Sequence, residues 1–368
     1  MSTSRIRVAV VYGGRSSEHE VSLESAKCVL DHLDAERYEI VPIAVDKTGA
    51  WHVQDFKRLR ARTDKTLPVD TAGATVSLAT RPTHAVLEGE HAPAIDVVFP
   101  VMHGPLCEDG SIQGLFELAD VAYVGSGVLG SAVCMDKDVA KRLVRAAGIA
   151  TADYVCVRAA EWAAHRDACA ARVDAELGYP VFVKPANMGS SVGIHRVRAA
   201  AELPAALDDA LRYDVKALVE RAIDCREIEV AVLGASDPAA PPETSVPGEI
   251  VPKDAFYSYE RKYLDAEGAQ LLVPARLTAD EVRAAQDVAR RAFVALECDP
   301  MARVDLFYER GTGRWLFSEA NTIPGFTTIS MYPKLWQASG LAYGALLDRL
   351  VQLALRRHAD KRGLRHER

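Results

Sequence analysis

The chain has 368 residues, 49% of them hydrophobic and 26% charged, with a formal net charge of −7. That length calls for two or three domains of about 100–200 residues each, and the apolar share excludes disorder as the main state. The acidic balance disfavours binding along a nucleic-acid backbone but leaves room for a locally basic site that takes a small anion. Cys28, Cys107, Cys134, Cys156, Cys169, Cys225 and Cys298 are scattered and odd in number. They have neither zinc-site spacing nor a disulfide framework, which suits free thiols in a reducing compartment. No apolar leader and no run of roughly 18 apolar residues is present, so a cytoplasmic protein is expected.

In chain order, residues 6–12 (IRVAVVY) form the β-branched run of a strand buried on both faces, broken by Gly13-Gly14. Ser17-x-x-Glu20 reads as a capping box opening a helix whose apolar stripe is Val21, Ala26, Val29, Leu30 and Leu33. Strands are expected at 38–45 and 95–102, and this rhythm points to a parallel, doubly wound sheet. Residues 46–90 read as a short hairpin and loops. A long helix is expected over 135–147, stopped by Gly148. There follow a strand at 154–157, a helix over 160–177 closed by Gly178, and a strand at 180–184. A Gly/Ser turn at 186–191, a strand at 192–197, a helix near 200–211 and strands at 217–222 and 228–233 complete an antiparallel middle region.

Residues 236–248 carry Pro238, Pro241, Pro242 and Pro247 and read as a surface loop. Residues 254–268, with Phe256, Tyr257, Tyr259 and Tyr263, are polar and aperiodic, as a functional loop is. An amphipathic helix is expected over 278–296, two strands at 301–308 and 314–321, and a basic, frayed tail at 356–368. The domains expected are 1–134, 135–233 and 234–368.

The usual nucleotide signatures are absent: there is no GxxxxGK[ST], and the turn after the first strand lacks GxGxxG. The strongest local signal is Arg303-Val-Asp305 with Glu319-Ala-Asn321. Residues two apart in a strand share a face, so two paired strands would bring two carboxylates and an amide oxygen together. Hard oxygen donors of that kind suit Mg²⁺, and Arg303 beside them suits a developing oxyanion. The plainer reading is a strand face on which Arg303 simply pairs with Asp305. Lys184, at a strand end before Gly189-Ser190-Ser191, and Lys137, near a helix start, are phosphate candidates. The plainer readings are a hairpin and a solvated side chain. Glu220 and Glu227 are placed to accept from an adenine or a ribose, whereas Glu229 fits a solvent-facing strand. Glu20 and His103-Gly104 fall at the carboxyl edge of the first sheet, where open α/β sheets bind ligands.

Together and in this order, GGRSSEHEVS, HGPLCEDGSIQG, MDK, KPANMGSSVG, ERAIDCREIEV, FYSYERKY, ARVDLF and EANTIPGFT resemble the ATP-grasp superfamily, most closely its D-alanine–D-alanine ligases. The resemblance runs over residues 13–331. It implies an α/β N-terminal part with a parallel doubly wound sheet, plus two α+β subdomains clasping ATP. Lys137, Lys184 and Lys262 would contact the ATP phosphates, Glu220 the adenine end and Glu227 the ribose. Asp305, Glu319 and Asn321 would hold two Mg²⁺ ions, with Mn²⁺ as a substitute and Glu319 bridging.

The reaction implied phosphorylates one D-alanine to an acyl phosphate, which the amine of a second attacks, for peptidoglycan precursor synthesis. Arg303 and the Gly325 N–H would form the oxyanion hole. Glu20 would bind the first ammonium beside His103, and Ser330 and Met331 would lie near the second carboxylate. Glu20, Ser190 and Tyr263 would form a triad seating 254–268 as a lid, and Tyr263 favours an amine over D-lactate as second substrate. A homodimer without nucleic-acid or membrane partners is implied. The competing readings are a ligase for D-lactate or D-serine, and a nucleotide-binding regulatory module; the intact lysine and carboxylate set opposes the latter.

Overall fold

A computed structural model describes residues 5–79, 87–89, 92–252 and 269–365. Tyr263, Lys262 and the rest of the expected lid at 254–268 lie outside the described residues. The first sheet runs in the order β5 (Leu87–Glu88), β4 (Thr75–Leu78), β3 (Trp51–Val53), β2 (Tyr38–Val45), β1 (Ile6–Gly13), β6 (Val97–Val101), β7 (Ala122–Tyr123). From β2 to β7 it is parallel; β3 to β5 extend one edge antiparallel. Val8, Val10 and Tyr12 of β1 enter one apolar cluster and Ala9 and Val11 another, so both faces are buried, as the unbroken apolar run requires.

Helices α1 (His19–His32) and α2 (Phe56–Arg60) cover one face of this sheet, and α3 (Ser111–Leu118) covers the other. Ser22 on α1 closes the carboxyl edge: Gly13 N–H donates to its Oγ at 2.7 Å, and that hydroxyl donates to the Val101 carbonyl at 2.5 Å. The expected capping box does not form. Helix α1 starts at His19 with Glu18 at the cap and no side-chain cap bond, and Glu20 pairs instead with Lys47 on the surface.

Beyond α4 (Val128–Met135), α5 (Lys137–Ala146) is a separate helix, because Asp136 leaves helical geometry to cap it and accepts from Val139 N–H at 3.0 Å. The expected 135–147 helix is therefore two. The 160–177 helix is likewise divided at His165 into α6 (Ala159–Ala164) and α7 (Arg166–Glu176). With α8 (Leu203–Ala210), α7 packs on the second sheet, ordered β10 (His195–Val197), β9 (Val181–Pro185), β11 (Lys216–Arg221), β8 (Tyr154–Arg158).

The third sheet is ordered β15 (Ala269–Leu272), β14 (Gly248–Pro252), β12 (Cys225–Leu233), β16 (Met301–Glu309), β17 (Trp315–Asn321), with β13 (Glu243–Thr244) also on β12. Residues 228–233, expected in the middle sheet, thus belong to the third. Nine register pairs from Cys225↔Glu309 to Leu233↔Met301 bind β12 to β16. Helix α9 (Ala279–Ala295) packs on this sheet and opens with a true capping box, Thr278 with Glu281.

The last helices, α10 (Met331–Ala338) and α11 (Tyr343–Arg362), return to the first sheet, where Leu346, Leu347, Leu350 and Val351 share a core with Val8 and Phe99. The basic end is accordingly not frayed up to residue 362. Arg357 donates to the carbonyls of Tyr123, Gly125 and Asp299, and Arg356 to that of Ala235. Among the described residues no helix is long and apolar enough to cross a membrane.

Candidate active site

A cleft of about 610 Å³ opens between the second and third sheets, lined by Lys184, Glu220, Glu227, Asp305 and Glu319 among others. Its size is that of a small-molecule or cofactor site. Strand alternation aims these groups. On β16 and β17, Arg303 faces Asn321 and Asp305 faces Glu319 across the ladder, as the spacing of two predicted. A register shift after Asp305 breaks the ladder at this point. Arg303 grips Asp305 through two hydrogen bonds of 2.7 and 2.6 Å, and Asn321 Nδ2 donates to the same carboxylate at 3.1 Å. The plainer reading of this face is seen directly, as the Arg303–Asp305 salt bridge, and the ladder sets Asp305 opposite Glu319 and Arg303 opposite Asn321. Glu229, expected to face solvent, is buried, with Oε2 3.2 Å from Arg303 Nε.

Lys137 is not solvated. Its ammonium donates to the Met188 carbonyl at 2.7 Å and lies 3.3 Å from Glu319, spanning the Gly/Ser turn and the carboxylate strand. Lys184 reaches Glu220 at 3.3 Å. Glu220 is buried and shared with Lys141, a wholly buried lysine one turn along α5. Burial works against the Glu220 charge, but the two lysines outweigh it and hold its carboxyl below the usual range. In the turn, Ser190 and Ser191 both adopt left-handed backbone, with φ of 53° and 60°. Such conformations cost about 1–3 kcal/mol each in non-glycine residues and concentrate at ligand sites.

The Ser190 hydroxyl donates to Glu18, not to Glu20. Glu18 is buried, 6% exposed, whereas the Glu20 side chain is 65% exposed. Two glycines make room for Glu18: a Cβ at Gly104 would come within 2.7 Å of its Oε2, and one at Gly189 within 3.2 Å. His103 lies beside it, buried, its Nδ1 3.1 Å from the Ile323 carbonyl and its Nε2 3.2 Å from Ser25 Oγ. Because a carbonyl only accepts, Nδ1 carries the proton. Burial disfavours the charged ring, but the hydrogen bond and charge of Glu108, together with Glu18, outweigh this and raise its pKa.

Ser25 Oγ also accepts from Phe326 N–H at 3.2 Å, so the turn carrying Gly325 is pinned to the edge of the first sheet. Ser330 folds over Gly325, accepting from Thr327 N–H at 3.0 Å. Met331 begins α10 and is buried against Gly248 and the core.

Lys137, Lys184, Ser190, Glu220, Glu227, Asp305, Glu319 and Asn321 thus surround one cleft and the narrow recess beside it. His103, Arg303, Gly325 and Ser330 do not line either; Arg303 sits on the same strand as Asp305, and His103 bonds to the Ile323 carbonyl. Glu20 does not join them. Sequence reasoning missed Glu18, Glu108, Glu229 and Lys141; for Glu18 and Glu108 the signal lay inside motifs already singled out.

Three sheets, with a lysine- and carboxylate-lined cleft between the second and third, define the class: an ATP-grasp protein. Residues 7–126 match the family described as D-ala D-ala ligase N-terminus, and residues 143–352 that described as D-ala D-ala ligase C-terminus. A D-alanine–D-alanine ligase A of Bradyrhizobium diazoefficiens is 53% identical over 368 residues, 98% of each chain. The solved D-alanine–D-alanine ligase from Coxiella burnetii is 36% identical with a TM-score of 0.82, covering 97% of this chain and 96% of that one. A D-Ala:D-Ser ligase from Enterococcus faecalis is 34% identical with a TM-score of 0.83, covering 95% and 100%. The chain belongs to the D-alanine–D-alanine ligase family.

Proposed function

We propose that the chain joins two molecules of D-alanine at the expense of ATP, and that the cleft residues divide the work as follows. The observation carrying this reading is that Lys137, Lys184, Glu220, Glu227, Asp305 and Glu319 line one cleft. Lys184 and Lys137 hold ATP phosphates from the turn side, with Lys262 reaching the γ-phosphate; Glu227 takes the ribose and the Glu220 end the adenine.

The donor set of Asp305, Glu319 and the Asn321 amide oxygen fits Mg²⁺, because all are hard oxygens and phosphate oxygens complete the shell. When bound, Mg²⁺ or Mn²⁺ would offset charge on the transferring phosphoryl group.

Glu18 takes over the role expected of Glu20. Its buried carboxylate holds the ammonium of the first D-alanine, and His103 and Glu108 flank that pocket. A carboxylate oxygen of this D-alanine attacks the γ-phosphorus and ADP leaves, giving an acyl phosphate. The amine of the second D-alanine, having lost a proton, attacks the acyl carbon, and phosphate departs with the electron pair of the broken C–O bond. Arg303 and the Gly325 N–H stabilise the intervening oxyanion. Ser330, with Met331 behind it, borders the second carboxylate. The Glu18–Ser190 bond ties the Gly/Ser turn to the start of α1 beside this pocket.

The sheet pairing favours a three-part division in which the second boundary falls before β12, near residue 224 rather than 233. A cytosolic setting is supported by seven free cysteines, and the homodimer is carried as part of the proposal, tested by light scattering. The chemistry is tested with D-alanine labelled with ¹⁸O in its carboxylate. One label passes to the released phosphate if an acyl phosphate forms; unlabelled phosphate would refute this route.

A further inference from the structure

We infer that Lys141 is a positioning residue for the nucleotide, acting through Glu220: it shares that carboxylate with Lys184 and so leaves the Lys184 ammonium able to turn to phosphate. The inference rests on the reading of the cleft as an ATP site. Lys137 and Lys141 stand one turn apart on α5 and so share a helix face. Lys137 lines the cleft, while Lys141 has a side-chain exposure of 0% and cannot touch a ligand there. Its Nζ is 3.1 Å from Glu220 Oε2, and Lys184 Nζ is 3.3 Å from that same oxygen. Charge couples the three groups first, with the hydrogen bonds of both lysines to Glu220 second.

The arrangement is held rigidly. Lys216, on the same strand as Glu220, reaches Asp136 at 2.5 Å and Asp138 at 3.3 Å at the start of α5. Tyr154 on β8 donates to Asp138 at 3.0 Å, and Lys137 N–H donates to the Ala186 carbonyl at 3.1 Å. Helix α5 is thus fixed to β11 at one end, and Lys141 cannot swing out to water. Two ammonium groups repel each other across one carboxylate, which weakens the grip of Glu220 on Lys184. Without Lys141, Glu220 and Lys184 would form a one-to-one buried pair, and phosphate would have to break it.

The test is a double-mutant cycle on the full chain. Wild type must first show ATP-dependent turnover with D-alanine; failure there overturns the cleft reading itself and is distinguishable from failure of this inference. Lys141→Met keeps the stem and removes the charge. It is expected to raise KM for ATP by about tenfold, with kcat within about threefold and KM for D-alanine unchanged. In a Glu220→Gln background the same substitution should shift KM for ATP by less than about twofold, since the charge it acts on is gone. Should the single variant not fold, ATP binding by Glu220→Gln and by the double variant is compared by calorimetry. An unchanged KM in Lys141→Met, an equal rise in both backgrounds, or a loss confined to kcat would overturn the inference.

Discussion

Replacing Glu18 with Gln preserves its shape and removes its charge, and the consequences can be worked from its surroundings. Glu18 is 6% exposed and accepts the Ser190 hydroxyl, next to His103. A buried carboxylate–ammonium contact with charge-assisted hydrogen bonding is worth about 2–3 kcal/mol, so KM for the first D-alanine should rise roughly 30- to 150-fold. KM for ATP should change little. Because the charge of Glu18 helps raise the His103 pKa, the substitution should also lower it, a shift readable by NMR titration. Glu20→Gln is the matched control. Its bridge to Lys47 is exposed on both sides, with 65% and 68% of the side chains accessible, and is worth at most about 0.5 kcal/mol. Initial rates of phosphate release over a wide D-alanine range separate the two subsites. A silent Glu18→Gln beside an impaired Glu20→Gln would refute the reasoning.

Three further outcomes follow from the structure. Glu319→Gln should cut turnover by about a hundredfold or more, since it weakens the proposed metal face while Lys137 remains; near-normal turnover at ordinary Mg²⁺ would remove the metal assignment. Gly13→Ala should cost at least about 3 kcal/mol in thermal unfolding, because φ is +93° and the added Cβ would sit 2.2 Å from the Val45 carbonyl oxygen. Asp96→Asn removes the fork from Arg7, with bonds of 3.0 and 2.7 Å. The hydrogen bond from Arg7 holds the Asp96 carboxyl below its usual range, so this stability is present above the unfolded value near 3.8 and is lost as pH falls through the folded one. With both side chains more than a third exposed, about 0.5–1 kcal/mol at pH 7 is expected, shrinking towards zero in acid; a difference that grows in acid would contradict it.

Where a residue's role follows from its neighbours along the chain, the sequence was legible. The both-faces-buried β1 follows from IRVAVVY, and the convergence of Asp305, Glu319 and Asn321 follows from a spacing of two on adjacent strands. Roles set by distant partners were not legible. Ser17 and Glu20 have the spacing of a capping box, but the helix start is decided at Glu18, whose carboxylate faces Ser190 from another sheet. The strand Cys225–Leu233 looks local to the middle region, yet its partner β16 lies some seventy residues on. Lys141 reads as one more polar residue on an amphipathic helix; its burial comes from elements distant in the chain, among them β17 packing on α5 and Glu220 of β11 meeting its ammonium. Arg356 and Arg357 read as tail charge, and are instead donors to carbonyls at the end of the first sheet and in loops around the third.

The most direct measurement of the central claim is phosphate release from Mg-ATP by the purified protein with D-alanine, L-alanine, or D-alanine mixed with D-serine or D-lactate, with products read by mass. The account predicts release that depends on D-alanine and yields D-alanyl-D-alanine, with the amine dipeptide dominating every mixture. Release without that dipeptide, a mixed product in preference to it, or ATP binding with no release on adding D-alanine would contradict it.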